Sequence, residues 1–146
     1  MEKLTFNTTI DAPTEKVWEI LWGKESYKQW TTVFAEGSDA ETDWQEGSKV
    51  IFSDGKGMGM VSRIERNIPN EYMSIKHLGF YKDGVEDTES EETKSWAGAM
   101  ENYTLTTVDG KTKLDVEVNV SEKEKGYFLE TFPKALAKVK ELAEVA

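Results

Sequence analysis

Asp109-Gly110 lies between two stretches of alternating residues and constrains the fold more than any other feature of the sequence. An Asp-Gly pair favours a two-residue loop of the mirror-image type, because both residues then adopt a positive φ and the turn matches the twist of antiparallel strands. Such a loop places Val108 opposite Lys111 and thereby fixes the register of a long hairpin. We predict its strands at Ala99–Val108 and Lys111–Val120.

The predicted register sorts the hairpin residues onto two faces. The mainly apolar face holds the pairs Thr107/Thr112, Leu105/Leu114, Tyr103/Val116 and Glu101/Val118. The polar face holds Thr106/Lys113, Thr104/Asp115 and Asn102/Glu117. An antiparallel sheet with one buried and one solvated face requires this division. The register also places the carboxylate of Glu101 on the inner face.

The residues before the hairpin predict a strand, two short helices and further strands. Residues 4–10 alternate as a strand does, and Asp11 and Pro13 then mark the start of a helix, as its cap and in its first turn. Gly23 ends that helix, and a second helix is predicted at residues 25–30. The further predicted strands are Ala40–Trp44, Ser48–Ser53, Met58–Arg66 and Glu71–Leu78.

A long amphipathic helix is predicted at the end of the chain. Ser121 and Glu124 have the spacing of a capping box, and Pro133 removes one backbone hydrogen bond, so we expect a bend there. The apolar stripe of this helix comprises Phe128, Phe132, Ala135, Leu136, Val139 and Leu142. The acidic segment 82–95 interrupts the strand pattern and predicts a flexible, solvated loop.

Composition and spacing exclude several classes of protein and site. The net charge of −10, from 28 acidic and 18 basic side chains, disfavours nucleic acid and anionic membrane surfaces as partners. The chain has no cysteine. It also has no run of about 18 apolar residues, which a membrane span would require. Residues 55–59 lack the glycine spacing of a dinucleotide site, and 82–95 lacks that of an EF-hand. We expect one cytoplasmic domain, 1–146, without a cofactor or metal site.

Several short motifs resemble those of a known superfamily. They are Ile10-Asp11-Ala12-Pro13, Val17-Trp18, Trp30, Gly47, Arg63-Ile64-Glu65 and Pro69. With the element order, they resemble the START-like or SRPBCC superfamily, and within it the homologues of the heat-shock-protein-90 ATPase activator. The resemblance implies an α+β helix-grip fold, in which a strand, two helices, six strands and a long helix form a curved antiparallel sheet around the C-terminal helix. It also implies a cavity for a small molecule.

His77 and Glu101 are the two residues that most suggest chemistry in such a cavity. His77 shares a strand face with Met73 and Ile75, so it either projects toward a ligand as a proton donor or is satisfied by neighbouring groups in the core. A carboxylate on an apolar face is costly unless it is paired, hydrogen-bonded or neutral. Glu101 therefore acts as an acid or base, anchors a polar ligand group, or reaches water where the strand frays.

Three functions remain open at the level of sequence. The first is a module that binds a hydrophobic or amphipathic molecule. The residues predicted to line its cavity are Met73, Ile75, His77, Glu101, Tyr103, Leu105, Val116, Val118, Phe128, Phe132 and Leu136. The second is a cyclase or hydrolase that uses His77 and Glu101, although no nucleophile beside a base is visible and no catalytic residue is assigned. The third is contact with a chaperone, which follows from the family resemblance alone.

Overall fold

Eight strands form one antiparallel sheet in the computed structural model, which describes residues 1–145. The strands are β1 (Glu2–Ile10), β2 (Asp39–Glu41), β3 (Lys49–Ser53), β4 (Met58–Ile68), β5 (Tyr72–Lys82), β6 (Val85–Asp87), β7 (Met100–Val108) and β8 (Lys111–Val120). Their order in the sheet is β1-β8-β7-β5-β4-β3-β2, and β6 pairs with β5.

Four α-helices cover one face of this curved sheet or border it. They are α1 (Thr14–Trp22), α2 (Lys24–Trp30), α3 (Glu91–Lys94) and the long α4 (Glu122–Glu144), and a short 3₁₀ turn (Thr31–Val33) follows α2. Helix α4 packs against β1, α1 and α2. This is the helix-grip arrangement, so the predicted fold class is confirmed. Within residues 1–145 no helix is both long and apolar enough to cross a membrane.

The hairpin around Asp109-Gly110 has the register that the sequence predicts. Val108 faces Lys111, and the pairing continues without a shift to Glu101 opposite Val118. Asp109 and Gly110 have φ angles of 52° and 79°, as a mirror-image turn requires. Strand β8 also pairs with β1 along the whole length of β1, so the inner face of the hairpin extends onto the edge of the sheet.

The core is densely filled where α1, α2 and the second half of α4 cover the sheet. The fully or almost fully buried side chains there include Ile10, Val17, Leu21, Ile75, Leu114, Val116, Ala135, Leu136 and Val139. Their spacing is the predicted one, with a period of two on the strands and about 3.6 on the helices. The helix stripe predicted for α4 is confirmed, with Phe128 and Leu142 half-buried at its margins.

The acidic segment 82–95 is more ordered than predicted. It contains strand β6 and helix α3, so seven strands rather than six follow α2. Local hydrogen bonds account for this order, since the Asp87 carboxylate accepts from the backbone N–H groups of Glu89 and Ser90 at 3.1 and 3.0 Å. The Ser90 hydroxyl oxygen in turn caps α3 by accepting from the N–H of Thr93 at 3.2 Å.

Strand ends also differ from the prediction. Strand β2 ends at Glu41 rather than Trp44, because the N–H of Trp44 is bonded to the Thr42 hydroxyl and the residue has a φ of 59°. Strands β4 and β5 run further than predicted, to Ile68 and Lys82, since two irregularities in their register let pairing continue.

The predicted helix caps are wrong at two positions. Asp11 does not cap α1, whose N-cap is Pro13. The backbone N–H of Asp11 instead donates to the Glu144 carboxylate at 2.8 Å. Ser121 is the N-cap of α4 but caps no backbone group, because its hydroxyl donates to the side chain of Glu124 at 2.9 Å. Helix α4 continues through Pro133, and the bend there stays a prediction.

Candidate functional site

A cavity of about 590 Å³ lies between the sheet and the first turns of α4. Its volume is within the range of small-molecule sites in proteins. Aromatic side chains supply much of its wall: Tyr27, Trp30, Phe34, Phe52, Phe80, Trp96, Tyr103, Tyr127, Phe128 and Phe132. Polar and charged side chains complete the wall, so the cavity combines an apolar surface with polar groups as ligand pockets do.

A bulge in β5 shapes the cavity wall. His77 faces Ser62 and Gly79 faces Val61, so Leu78 is the extra residue on its strand. The side chain of Phe80 consequently returns to the inner face. There it meets the Trp96 ring edge-to-face, with ring centroids 4.8 Å apart. Through Phe80, the bulge therefore brings the sheet into contact with the segment that follows α3.

Four side chains form a continuous hydrogen-bonded network beside the cavity. The ring nitrogen Nε2 of His77 lies 3.0 Å from Oε1 of Glu101, and the Tyr103 hydroxyl donates to the other carboxylate oxygen. The hydroxyl of Ser62 lies 2.7 Å from Nδ1 of His77. When Nε2 carries the proton that Glu101 accepts, Nδ1 accepts from Ser62, and each member of the network has a partner.

The network sets which of its groups is charged. Burial acts to raise the pKa of the Glu101 carboxyl, but the hydrogen bond from His77, the positive charge of its imidazole when that ring is protonated, and the hydrogen bond from Tyr103 outweigh burial and hold that pKa below its ordinary value. Burial, and then the charge of Glu101, raise the pKa of Tyr103 well above that of a free phenol. Near neutral pH the cavity therefore contains an ionised Glu101 beside a neutral phenol.

Glu101 is also the member of the network that is most open to the cavity. Its side chain is 22% exposed, against 9% for that of His77. Both ring nitrogens of His77 are engaged by protein groups, as the interpretation of a satisfied histidine requires. A carboxylate has about four acceptor positions, and the two bonds from His77 and Tyr103 leave about two of them.

The order Ser62, His77, Glu101 is superficially that of a nucleophile, a base and an acid. Ser62 is completely buried between strands and is not among the lining residues, so its hydroxyl cannot meet a substrate in the cavity. Its bond to His77 instead fixes the orientation of the imidazole. In the part of the chain that the structure describes, no group of three or more histidine or acidic side chains has the arrangement of a metal site.

Six of the eleven residues predicted from sequence line the cavity. They are His77, Glu101, Tyr103, Val118, Phe128 and Phe132. The other five do not line it, because they pack into the filled part of the core: Met73, Ile75, Leu105, Val116 and Leu136. The structure also brings His77 and Glu101 together, which the sequence could not show.

Sequence reasoning missed the part of the wall that β3, β4, the end of β5 beyond the bulge and the segment after α3 supply. Phe52, Met60, Phe80 and Trp96 belong to it. Phe80 lies beyond the predicted end of its strand, and its inward direction depends on the bulge. The one available signal was Trp96, since a tryptophan that closes an acidic stretch rarely remains in solvent.

Comparison with known proteins identifies relatives of this fold. The family model described as "Activator of Hsp90 ATPase homolog 1-like protein" matches residues 11–144. No curated protein is significantly similar to the chain in sequence. The solution structure of the Aha1 dimer from Colwellia psychrerythraea is 19% identical, with a TM-score of 0.75 over 99% of this chain and 98% of that one.

Two crystal structures extend the comparison. Protein MLL2253 from Mesorhizobium loti is 16% identical, with a TM-score of 0.76 over 97% of this chain and 96% of that one. CalU16 from Micromonospora echinospora is 16% identical, with a TM-score of 0.68 over 97% of this chain and 76% of that one. At such identities these likenesses show a shared fold.

Proposed function

The chain belongs to the family of Activator of Hsp90 ATPase homolog 1-like proteins, and on that premise we propose that it binds a small apolar or amphipathic molecule. The observation that carries the proposal is the cavity of about 590 Å³ between the sheet and α4, which has aromatic walls. A filled core of the same fold would offer no such space, and function in a shared fold has to be argued from the site.

The apolar surface of the cavity wall determines the scale of the ligand affinity that we expect. A ligand that buries roughly 200–300 Å² of apolar surface there gains roughly 5–7 kcal/mol before the costs of association. The costs of association remove much of this gain, whereas hydrogen bonds to polar groups of the wall add to the favourable binding free energy. We therefore expect micromolar dissociation constants for simple aromatic compounds and tighter binding for the physiological ligand.

The hydrogen bonds of the site favour binding over catalysis. Both nitrogens of His77 are occupied by Ser62 and Glu101, so the imidazole is not placed to activate a group in the cavity. Ser62, the hydroxyl adjacent to it, is inaccessible. The network is better suited to hold the Glu101 carboxylate in one position than to transfer a proton.

A test requires two variants matched in position. Phe128 lines the cavity, whereas Leu129 follows it on α4 and is 49% exposed. We expect native mass spectrometry or thermal-shift measurements to detect binding of compounds from a panel of lipids and aromatic amphiphiles. Phe128→Ala then weakens that binding about tenfold, the scale of one lost aromatic contact, and Leu129→Ala leaves it unchanged.

Two results would contradict the proposal. If no compound of the panel shifts the melting temperature and no bound mass accompanies the purified protein, the cavity is not a general ligand site. If Phe128→Ala and Leu129→Ala weaken binding equally, the compounds bind outside the cavity.

A further inference from the structure

The charged side chains around the cavity are predominantly acidic. They are Asp54, Glu92, Glu101 and Glu124, with Lys123 as the one lysine or arginine among the described lining residues. The whole chain carries a net charge of −10, so the surrounding potential has the same sign. A cavity with low-dielectric walls concentrates such a field, which attracts cations and repels anions.

The deepest of these charges is also the best fixed. Glu101 is held by His77 at 3.0 Å and by the Tyr103 hydroxyl, and the imidazole is itself held by Ser62. Because these donors already have acceptors, the network presents spare acceptor capacity at Glu101 to the cavity. A ligand group that donates hydrogen bonds suits this position, whereas a carboxylate or phosphate would meet a like charge.

Aromatic rings surround the two residues that hold this carboxylate, His77 and Tyr103. The Phe52 ring lies 6.0 Å from the His77 ring and 6.3 Å from that of Tyr27, and the Trp30 ring lies 6.4 Å from that of Tyr103. All of these residues line the cavity. An organic cation gains from aromatic faces as well as from a carboxylate, and the gain increases when the cation is removed from water.

We propose that the cavity selects organic cations, with a protonated amine beside Glu101 and an apolar or aromatic body against the surrounding rings. This inference rests on the proposed function and names the ligand class for the same site. The structural basis is the juxtaposition of one fixed, accessible carboxylate with an aromatic wall in a predominantly acidic cavity.

Three probes that share one ring system test the selectivity directly. Naphthylmethylamine is protonated at neutral pH, naphthylmethanol is a neutral hydrogen-bond donor, and naphthoic acid is ionised. Isothermal titration calorimetry on the unmodified protein compares them without a mutation. We expect the amine to bind roughly tenfold more tightly than the alcohol, and the acid to bind more weakly than either.

Two variants that remove the same charge locate the effect. Glu101→Gln alters the cavity carboxylate, and Glu117→Gln alters a carboxylate on the outer face of the same hairpin, whose side chain is 48% exposed. We expect Glu101→Gln to bring the amine to the affinity of the alcohol and to leave the alcohol within about twofold of its original value. Glu117→Gln retains the full preference. Circular dichroism establishes that both variants are folded.

The outcomes separate this inference from the proposed function. If the alcohol or the acid binds the unmodified protein as tightly as the amine, selection for cations is wrong while small-molecule binding stands. If the amine preference survives Glu101→Gln, or is lost equally in Glu117→Gln, the assignment to Glu101 is wrong. If none of the probes binds, both the proposed function and this inference lose their support.

Discussion

The inner face of the sheet ends in a filled core on one side and in a cavity on the other. At the closed end, Leu114 and Val116 have no exposed surface and belong to the same buried cluster as residues of α1 and of the second half of α4. At the open end, the first turns of α4 cover the sheet, and their sequence from Glu122 to Gly126 is charged or lacks a side chain. Of this segment, Lys123 and Glu124 line the cavity, so charged side chains border it there. The cavity at this end therefore results from the side chains that the first turns of α4 place over the sheet.

The two ends differ in their polar groups as well. The closed end buries the Thr112 hydroxyl, which donates to the Ala12 carbonyl oxygen at 2.7 Å and so fixes the chain before α1. The open end buries a network with an ionised carboxylate, part of which stays accessible. Buried charge is costly unless it is compensated, so its position beside a cavity indicates a use beyond stability.

The largest expected effect tests the closed end. Leu114→Ala removes a completely buried side chain from the filled core and is expected to lower the free energy of unfolding by about 3 kcal/mol. Urea denaturation monitored by tryptophan fluorescence measures this value. A loss below about 1 kcal/mol would mean that the core around Leu114 is loosely packed and that the two ends are alike.

Glu101→Gln tests the network at the open end and is expected to cost about 2 kcal/mol near neutral pH, because the amide cannot accept from both His77 and Tyr103. The pKa of Glu101 in the folded protein lies below 4.5, so its ionised form stabilises the fold above that value. This contribution is lost as pH falls through the folded-state pKa. The difference from the unmodified protein should therefore shrink in acid.

Urea denaturation at about pH 7 and about pH 3 measures this change, with Glu117→Gln as the control. Glu117 forms an exposed ion pair with Lys3 at 3.8 Å, which contributes roughly 0.5 kcal/mol or less. A difference for Glu101→Gln that does not decrease in acid would mean that its carboxylate charge is not what stabilises the network.

Phe128→Ala sharpens the contrast between the two ends. The phenylalanine is larger than Leu114 but is half-buried and borders existing space, so its removal creates little new cavity. We expect a loss of about 1 kcal/mol in urea denaturation, well below the value for Leu114→Ala. An equal loss would show that the first turns of α4 are packed as tightly as the second half.

Local pattern was sufficient to predict most of the strands and helices because each element carries its own periodicity, whereas their arrangement as a helix grip was predicted from the family resemblance. The Asp109-Gly110 turn determined the hairpin register down to Glu101, and that register is confirmed. The cavity wall was predictable on the inner face of β5, β7 and β8 and on the apolar stripe of α4, where six of the predicted residues line it. Whether an inward residue such as Ile75 or Phe80 meets atoms or space depends on the covering helices and on the bulge at Leu78, and both arise from contacts distant in sequence.

The smallest expected effect concerns the helix end that borders the cavity. A serine that caps a helix through its side chain contributes roughly 0.5–2 kcal/mol. In this protein the Ser121 hydroxyl donates to Glu124 instead of accepting from the backbone, so Ser121→Ala is expected to cost less than about 0.5 kcal/mol. Ser90→Ala offers the comparison, because the Ser90 hydroxyl does cap α3. A loss above about 1 kcal/mol for Ser121→Ala would mean that Ser121 does cap α4 through its side chain, as the sequence predicts. The first turn of α4, which borders the cavity, would then be held more firmly than the structure indicates.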